Sequence, residues 1–365
     1  MGLFRFILAI SVLTSHFGAL FNFKFVGGQI AVQSFYIISG FYITLGLNEK
    51  YINKNSSYFL FITNRFFKIY PLYWLVLLFT ILLTLLIEIK SKGQTETILD
   101  LYINAHPNLF SFSFLILSNL FIFFQDVVMF LGINTVDGHL FFTKIFLYTH
   151  PQLHSFLFIP QAWSLSLELM FYLVAPFLVK RKNIFVFSVI LISLTIRFLT
   201  YKYFKCDTDP WTYRFFPTEL MFFLSGFFSY KLYCKIRHIK LNDFIIITMM
   251  LYLFLFTFYF LKIEIFNFNV VVFSFKETVY FMSVILILPF LFKKFNTSKF
   301  DYFLGELSFP IYISHIFIGM ICTRLPFGNF KYSYSVCVGT IIFSIFINKF
   351  FLKRIENYRQ LRLKK

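Results

Sequence analysis

Charge is scarce in this chain, where Asp, Glu, Lys and Arg make up 14% of the 365 residues. A soluble domain of that length needs a wettable surface, so the shortage excludes one. Carboxylates are scarcer still, 16 acidic against 34 basic residues. The four cysteines, Cys206, Cys234, Cys322 and Cys337, have no paired spacing, which argues against a zinc or redox motif. Only a Cys206–Cys322 bridge outside the membrane is left open. Long polar stretches are missing too: the longest polar-leaning interval is about 89–111, so a single domain over 1–365 is expected. Internal repeats are not visible, which argues against an inverted-repeat transporter.

What is abundant is apolar and aromatic: 59% hydrophobic residues, 60 phenylalanines, and a mean hydropathy of +0.75. Apolar runs long enough to cross a bilayer recur throughout. They predict an all-α, polytopic membrane bundle of about ten transmembrane helices, near 3–21, 30–47, 70–88, 164–178, 183–201, 215–233, 243–262, 270–292, 305–323 and 334–352. A further run at 111–132 would invert every later loop if it crossed. It is therefore read as a re-entrant hairpin with 139–158, a lid over an outward-facing site that carries Asp126, Asp137, His139, His150 and His154.

The net charge of +18 follows this topology. With the amino terminus cytoplasmic, inner segments hold roughly two basic residues for each one outside, as the positive-inside rule demands. Both termini are then cytoplasmic, and the basic excess meets membrane lipid rather than nucleic acid. Arg5 alone precedes the first run and no small-x-small site follows it, so no cleavable signal peptide is expected. Met1-Gly2 also lacks the later Ser or Thr that myristoylation requires.

Ionisable groups inside such spans are costly and mark pathways or reaction sites. Arg5 and His16, eleven residues apart, fall on one helix face roughly 16 Å apart, with Arg5 at the membrane edge and His16 near mid-depth. The second span carries Ser39-Gly40, a pair that allows close helix approach. The loop ending Asn64-Arg65-Phe66-Phe67-Lys68-Ile69-Tyr70-Pro71 sets two cations one turn apart. They suit a phosphorylated cytosolic ligand, or serve only as positive-inside charge.

Farther on, Ser164, Glu168 and Tyr172 recur every four residues after Trp163, giving one polar stripe on an apolar helix. Glu168 is either a general acid/base or a helix tie to Arg197 or Arg214. Arg214 and Glu219 flank the start of another span. In Gly305–His315, Ser308 reads as a helix cap with Pro310 in the first turn, and Ser308, Tyr312 and His315 share a face. His315 lines a channel or satisfies a carbonyl.

Taken in order, these elements resemble the membrane-bound acyltransferase family 3, integral enzymes that acylate hydroxyls of cell-surface glycans and other compounds. The matching features are the Arg-x10-His pair, the Phe35–Phe41 stretch, the basic loop closing on Tyr70-Pro71, Trp-Ser-Leu-x-x-Glu at Trp163–Glu168, and Gly-x-x-Ser…Tyr…His at Gly305–His315. The family's inner loop usually reads Arg-x-x-Arg; here Lys68 keeps the charge and loses the bidentate fork.

The resemblance implies transfer of an acyl group, usually acetyl, from cytosolic acyl-CoA to a hydroxyl beyond the membrane, on a surface glycan or lipid-linked saccharide. His16 and Glu168 are then the expected catalytic pair, and Arg5, Arg65, Lys68 and Tyr70 bind the donor. Ser39, Trp163, Ser164, Tyr172, Arg214, Glu219, Ser308, Tyr312 and His315 contact the acceptor or line the channel. Acyl-CoA enters as a substrate; no metal and no resident cofactor is expected, and the chain leaves no room for an appended hydrolase-like domain. A transporter would not explain cations and His16 on one face, and a polyprenyl-phosphate glycosyltransferase wants a carboxylate pair that 21–29 lacks.

Overall fold

The computed structural model describes residues 1–51, 58–92, 94–240, 242–264, 269–270, 272–324 and 332–364. It is a helical bundle: α1 (Gly2–Phe17), α2 (Gly27–Gly46), α3 (Tyr58–Ser91), α4 (Ile98–Ala105), α5 (Leu109–Phe121), α6 (Gln125–Val128) and α7 (Trp163–Leu178) come first. Then follow α8 (Asn183–Lys202), α9 (Phe216–Ile236), α10 (Asp243–Tyr259), α11 (Phe275–Phe295), α12 (Lys299–Cys322), α13 (Tyr332–Ile347) and α14 (Lys353–Lys364). Each of the ten expected spans falls on one of these helices. Among the described residues, eight helices are long and apolar enough to cross a membrane; α1 is shorter, and α9 is not among the eight.

Helix α2 is central, with 78% of its apolar window buried against 17% for α8. Outward-facing apolar side chains such as Leu86, Ile184 and Phe244 are exposed because lipid, not water, covers them. Small residues set the two closest crossings. A Cβ on Gly40 would stand 1.8 Å from the Phe223 carbonyl oxygen, and one on Gly226 would stand 2.2 Å from that of Ile37, so α2 and α9 pack backbone to backbone. The same happens where Gly2 of α1 meets Asp301 and Gly305 of α12.

Several boundaries differ from the sequence reading. Helix α1 stops at Phe17 because Gly18, at φ 98°, turns the chain. Helix α3 starts at Tyr58 and continues through Pro71, so the expected basic loop is itself helical. Helix α12 starts at Lys299, capped by the Ser298 side chain, which puts Ser308 and Pro310 mid-helix. Ser308 is thus no cap: its hydroxyl donates back to the Gly305 carbonyl at 2.7 Å.

The segment between α3 and α7 leaves and re-enters the bundle at one end, since the start of α3 meets the end of α7 where the Tyr58 hydroxyl donates to Leu173 O. Its first arm, α5, is helical. The returning arm is not: it forms an antiparallel hairpin, β1 (Leu131–Ile133) with β2 (Leu140–Phe142), then single 3₁₀ turns. Helix α5 ends beside Tyr70, Tyr73 and Trp74, midway along α3. These three side chains donate to the last carbonyls of α5, at Phe121, Asn119 and Leu120 respectively. The Ser166 hydroxyl takes the Phe124 N–H. Irregular backbone at that depth is tolerated because protein groups satisfy it.

Both described ends of the chain sit at one end of the bundle. The Met1 amino group pairs with Asp301 at 2.7 Å, and α14 docks on the start of α3 through Arg362 to Asn64 and Thr63. All four cysteines are free, so the Cys206–Cys322 bridge does not form.

Candidate active site

Helices α1, α2, α3, α7 and α12 enclose one central cavity. Arg5, Ser39, Arg65, Lys68, Ser164, Glu168, Tyr172, Ser308 and Tyr312 all line it. The sequence had placed these on five separate segments; the fold brings them together. The cations gather at one end because Arg65 and Lys68 sit one turn apart on α3, facing Arg5 near the start of α1.

That basic end opens into a wider vestibule of about 420 Å³, which shares Arg5, Arg65 and Lys68 with the cavity. The Arg5 guanidinium lies 5.7 Å from the Tyr42 ring centre, and Arg65 lies 5.3 Å and 5.6 Å from those of Phe61 and Tyr172. Aromatic faces hold the cations without neutralising them. Arg65 Nε is buried without a hydrogen-bond partner, which leaves a strong donor for an anion.

Deeper in the cavity, the Ser39 and Tyr172 hydroxyls both donate to Glu168 Oε1 at 2.5 Å. The helix ties expected for Glu168 go elsewhere. Arg197 pairs with Glu219 at 2.7 Å, and Arg214 with Asp209 at 2.5 Å. Glu168 is therefore the carboxylate of the cavity wall. Beyond it the Ser164 and Tyr312 hydroxyls lie 2.6 Å apart, and Tyr312 donates to Gln161 O at 2.9 Å. Phe35 packs edge-on against the Tyr312 ring, centres 6.3 Å apart, and both line the cavity.

The histidines do not line the cavity but lie beside Tyr312, whose ring centre is 6.1 Å from that of His315. His16, exposed at the end of α1, lies beside the fully buried His315, ring centres 5.2 Å apart and tilted by 38°. His315 Nδ1 faces two carbonyl oxygens, Tyr312 at 2.7 Å and Ile311 at 3.3 Å. Both are acceptors, so Nδ1 carries the hydrogen and Nε2 is a bare acceptor. That Nε2 is buried and unpartnered. Arg214 is close enough to act electrostatically on His16, and its guanidinium lies 4.3 Å from the Trp163 ring centre. In the neighbouring loop, burial first and then Arg214 hold His154 below the ordinary imidazole range.

His16 is therefore not on the wall that carries Glu168, contrary to the arrangement of a mid-depth His16 with Glu168 farther out. Tyr312 separates them. His16 sits in the last turn of α1, where it meets His315 of α12. Tyr70 is turned away as well, its hydroxyl committed to Phe121 O. Glu219 is fully buried between Arg197 and Gln33, a tie among α2, α8 and α9.

Sequence reasoning passed over Tyr36, which lines the cavity with a buried, unpartnered hydroxyl. Its spacing of three from Ser39 was the available signal. It also passed over Gln161, which donates to Ile313 O at 2.7 Å.

The fold is thus a many-helix membrane bundle around a cavity with cations at one end, and with an imidazole pair beside Tyr312. The chain matches the acyltransferase domain family Acyl_transf_3 over residues 1–349. It belongs to that family and is a multi-pass membrane acyltransferase. No curated protein and no solved structure gives a significant match.

Proposed function

We propose that this acyltransferase takes its acyl group, acetyl above all, from acyl-CoA and passes it to a hydroxyl of a surface glycan or lipid-linked saccharide across a bacterial inner membrane. The carrying observation is the polarity of the passage: three cations at the vestibule end, two imidazoles past the cavity. Positive-inside charge makes the vestibule, and with it both termini, cytoplasmic. The coenzyme's phosphates meet Arg5, Arg65 and Lys68, and the thioester reaches past Glu168 toward Tyr312.

His16 acts as general base. It accepts the proton of the acceptor hydroxyl as that oxygen bonds to the thioester carbon. The carbon–sulfur bond breaks, and the proton goes on to the departing thiolate. Glu168 holds the Ser39 and Tyr172 hydroxyls in place along the donor's path, and Arg214, Trp163 and Tyr312 border the acceptor's approach. The test is incubation of the purified protein with radiolabelled acetyl-CoA and extracted surface glycan. Label appearing on the glycan as an ester supports the reading; label remaining on the coenzyme overturns it.

A further inference from the structure

The family match ends at residue 349, yet α14 begins at Lys353. This helix forms one wall of the vestibule, lined there by Ile355, Glu356, Arg359, Gln360 and Leu363. Unlike the spans it is strongly polar, so bilayer crossing does not explain its place. It is docked: Arg359 Nε donates to Asn64 O at 2.9 Å, and Arg362 donates to Asn64 Oδ1 at 3.1 Å.

Arg359 acts electrostatically on Arg65, so the vestibule concentrates like charge on its two faces. Three carboxylates line the same chamber, Asp301, Glu306 and Glu356; Asp301 is paired with the Met1 amino group and Glu356 with Arg359. Glu356 accepts hydrogen bonds from Arg359 and Gln360 and also acts on Lys68 and Lys50. A carboxylate hydrogen-bonded to a guanidinium on the chamber wall occupies the kind of position a phosphate takes. Arg359 and Glu356 line the vestibule alone, whereas Arg5, Arg65 and Lys68 also reach the cavity. Along the passage, α14 is therefore farther from the reacting end than the three shared cations are.

We propose that α14 completes the donor site, with Arg359 binding the phosphate monoester farthest from the thioester and Glu356 as the resident counter-anion that this phosphate displaces. The inference rests on the acyl-CoA reading above. The 3′-phosphate on the ribose is the monoester at that distance, and the pyrophosphate falls to the inner three cations. Glu356 then lowers donor affinity and Arg359 raises it.

The test is equilibrium binding of coenzyme A and 3′-dephospho-coenzyme A to the full chain in zwitterionic nanodiscs. Wild type should prefer coenzyme A by roughly tenfold or more, the worth of a charge-assisted contact. Arg359→Gln should erase that preference, and Glu356→Gln should tighten coenzyme A several-fold while leaving the dephospho form unchanged. Arg354→Gln, an exposed change of equal charge on the same helix, controls for net charge and should behave as wild type. An undiminished preference in Arg359→Gln, or no tightening in Glu356→Gln, overturns the proposal while leaving the donor reading standing. Wild type binding neither compound overturns both. An Arg359 effect seen only after anionic lipid is added would assign the site to a lipid headgroup and overturn the coenzyme assignment.

Discussion

His16 and His315 come from opposite ends of the sequence and meet with ring centres 5.2 Å apart, 38° from parallel. Only His16 is exposed; His315 is buried, with Nδ1 held by the Tyr312 carbonyl and Nε2 unpartnered. A bare imidazole nitrogen beside a base can receive its hydrogen bond and fix its tautomer. His315→Phe should keep the fold and donor affinity but lower kcat about tenfold or more, less than loss of the base itself. Unchanged turnover in a well-inserted His315→Phe protein would reduce His315 to a packing residue.

On the donor side, Arg65 has a buried Nε without a partner. Arg65→Ala should weaken coenzyme A binding by roughly 1.5–3 kcal/mol, and Arg65→Lys should recover part of it. Tyr70→Phe should leave donor affinity untouched, because its hydroxyl serves α5. Titration calorimetry on the three variants checks both statements.

Close packing of α2 on α9 makes a stability prediction. A methyl on Gly40 would meet the Phe223 carbonyl at 1.8 Å. Gly40→Ala should cost about 1–3 kcal/mol through overpacking and lower the Tm of detergent-solubilised protein. A Tm equal to wild type would mean that α2 and α9 can part at no cost.

Topology follows from charge. Reporter fusions at Lys182 and Lys240 should report the cytoplasm, and one near Asp207 the exterior. A fusion after Lys365 that reports the exterior would contradict the ten-crossing scheme.

Much of this architecture was legible in the sequence because bilayer length and charge bias constrain spans strongly. Arg65, Lys68, Ser39, Glu168 and Tyr312 could be picked out because polar groups inside apolar runs are rare. Depth was harder to read. Nothing periodic marks Gly18 as the end of α1, and no spacing shows that His16 lies off the wall that carries Glu168. Pairings were harder still: which of Arg197 and Arg214 meets a carboxylate depends on helix order, and the fold gave one to Glu219 and the other to Asp209. The returning arm after α5 is irregular, since Gly132, Gly138, Pro151 and Pro160 interrupt it.

Acyl transfer by the proposed mechanism depends on His16 as the base. The direct measurement is the rate of acetyl transfer by His16→Gln, an amide that hydrogen-bonds but cannot take the proton, alongside its coenzyme A affinity. Loss of 10²–10⁴ in rate, about the worth of a general base, with donor binding unchanged is the predicted result. Substantial transfer by a correctly inserted His16→Gln protein would contradict it.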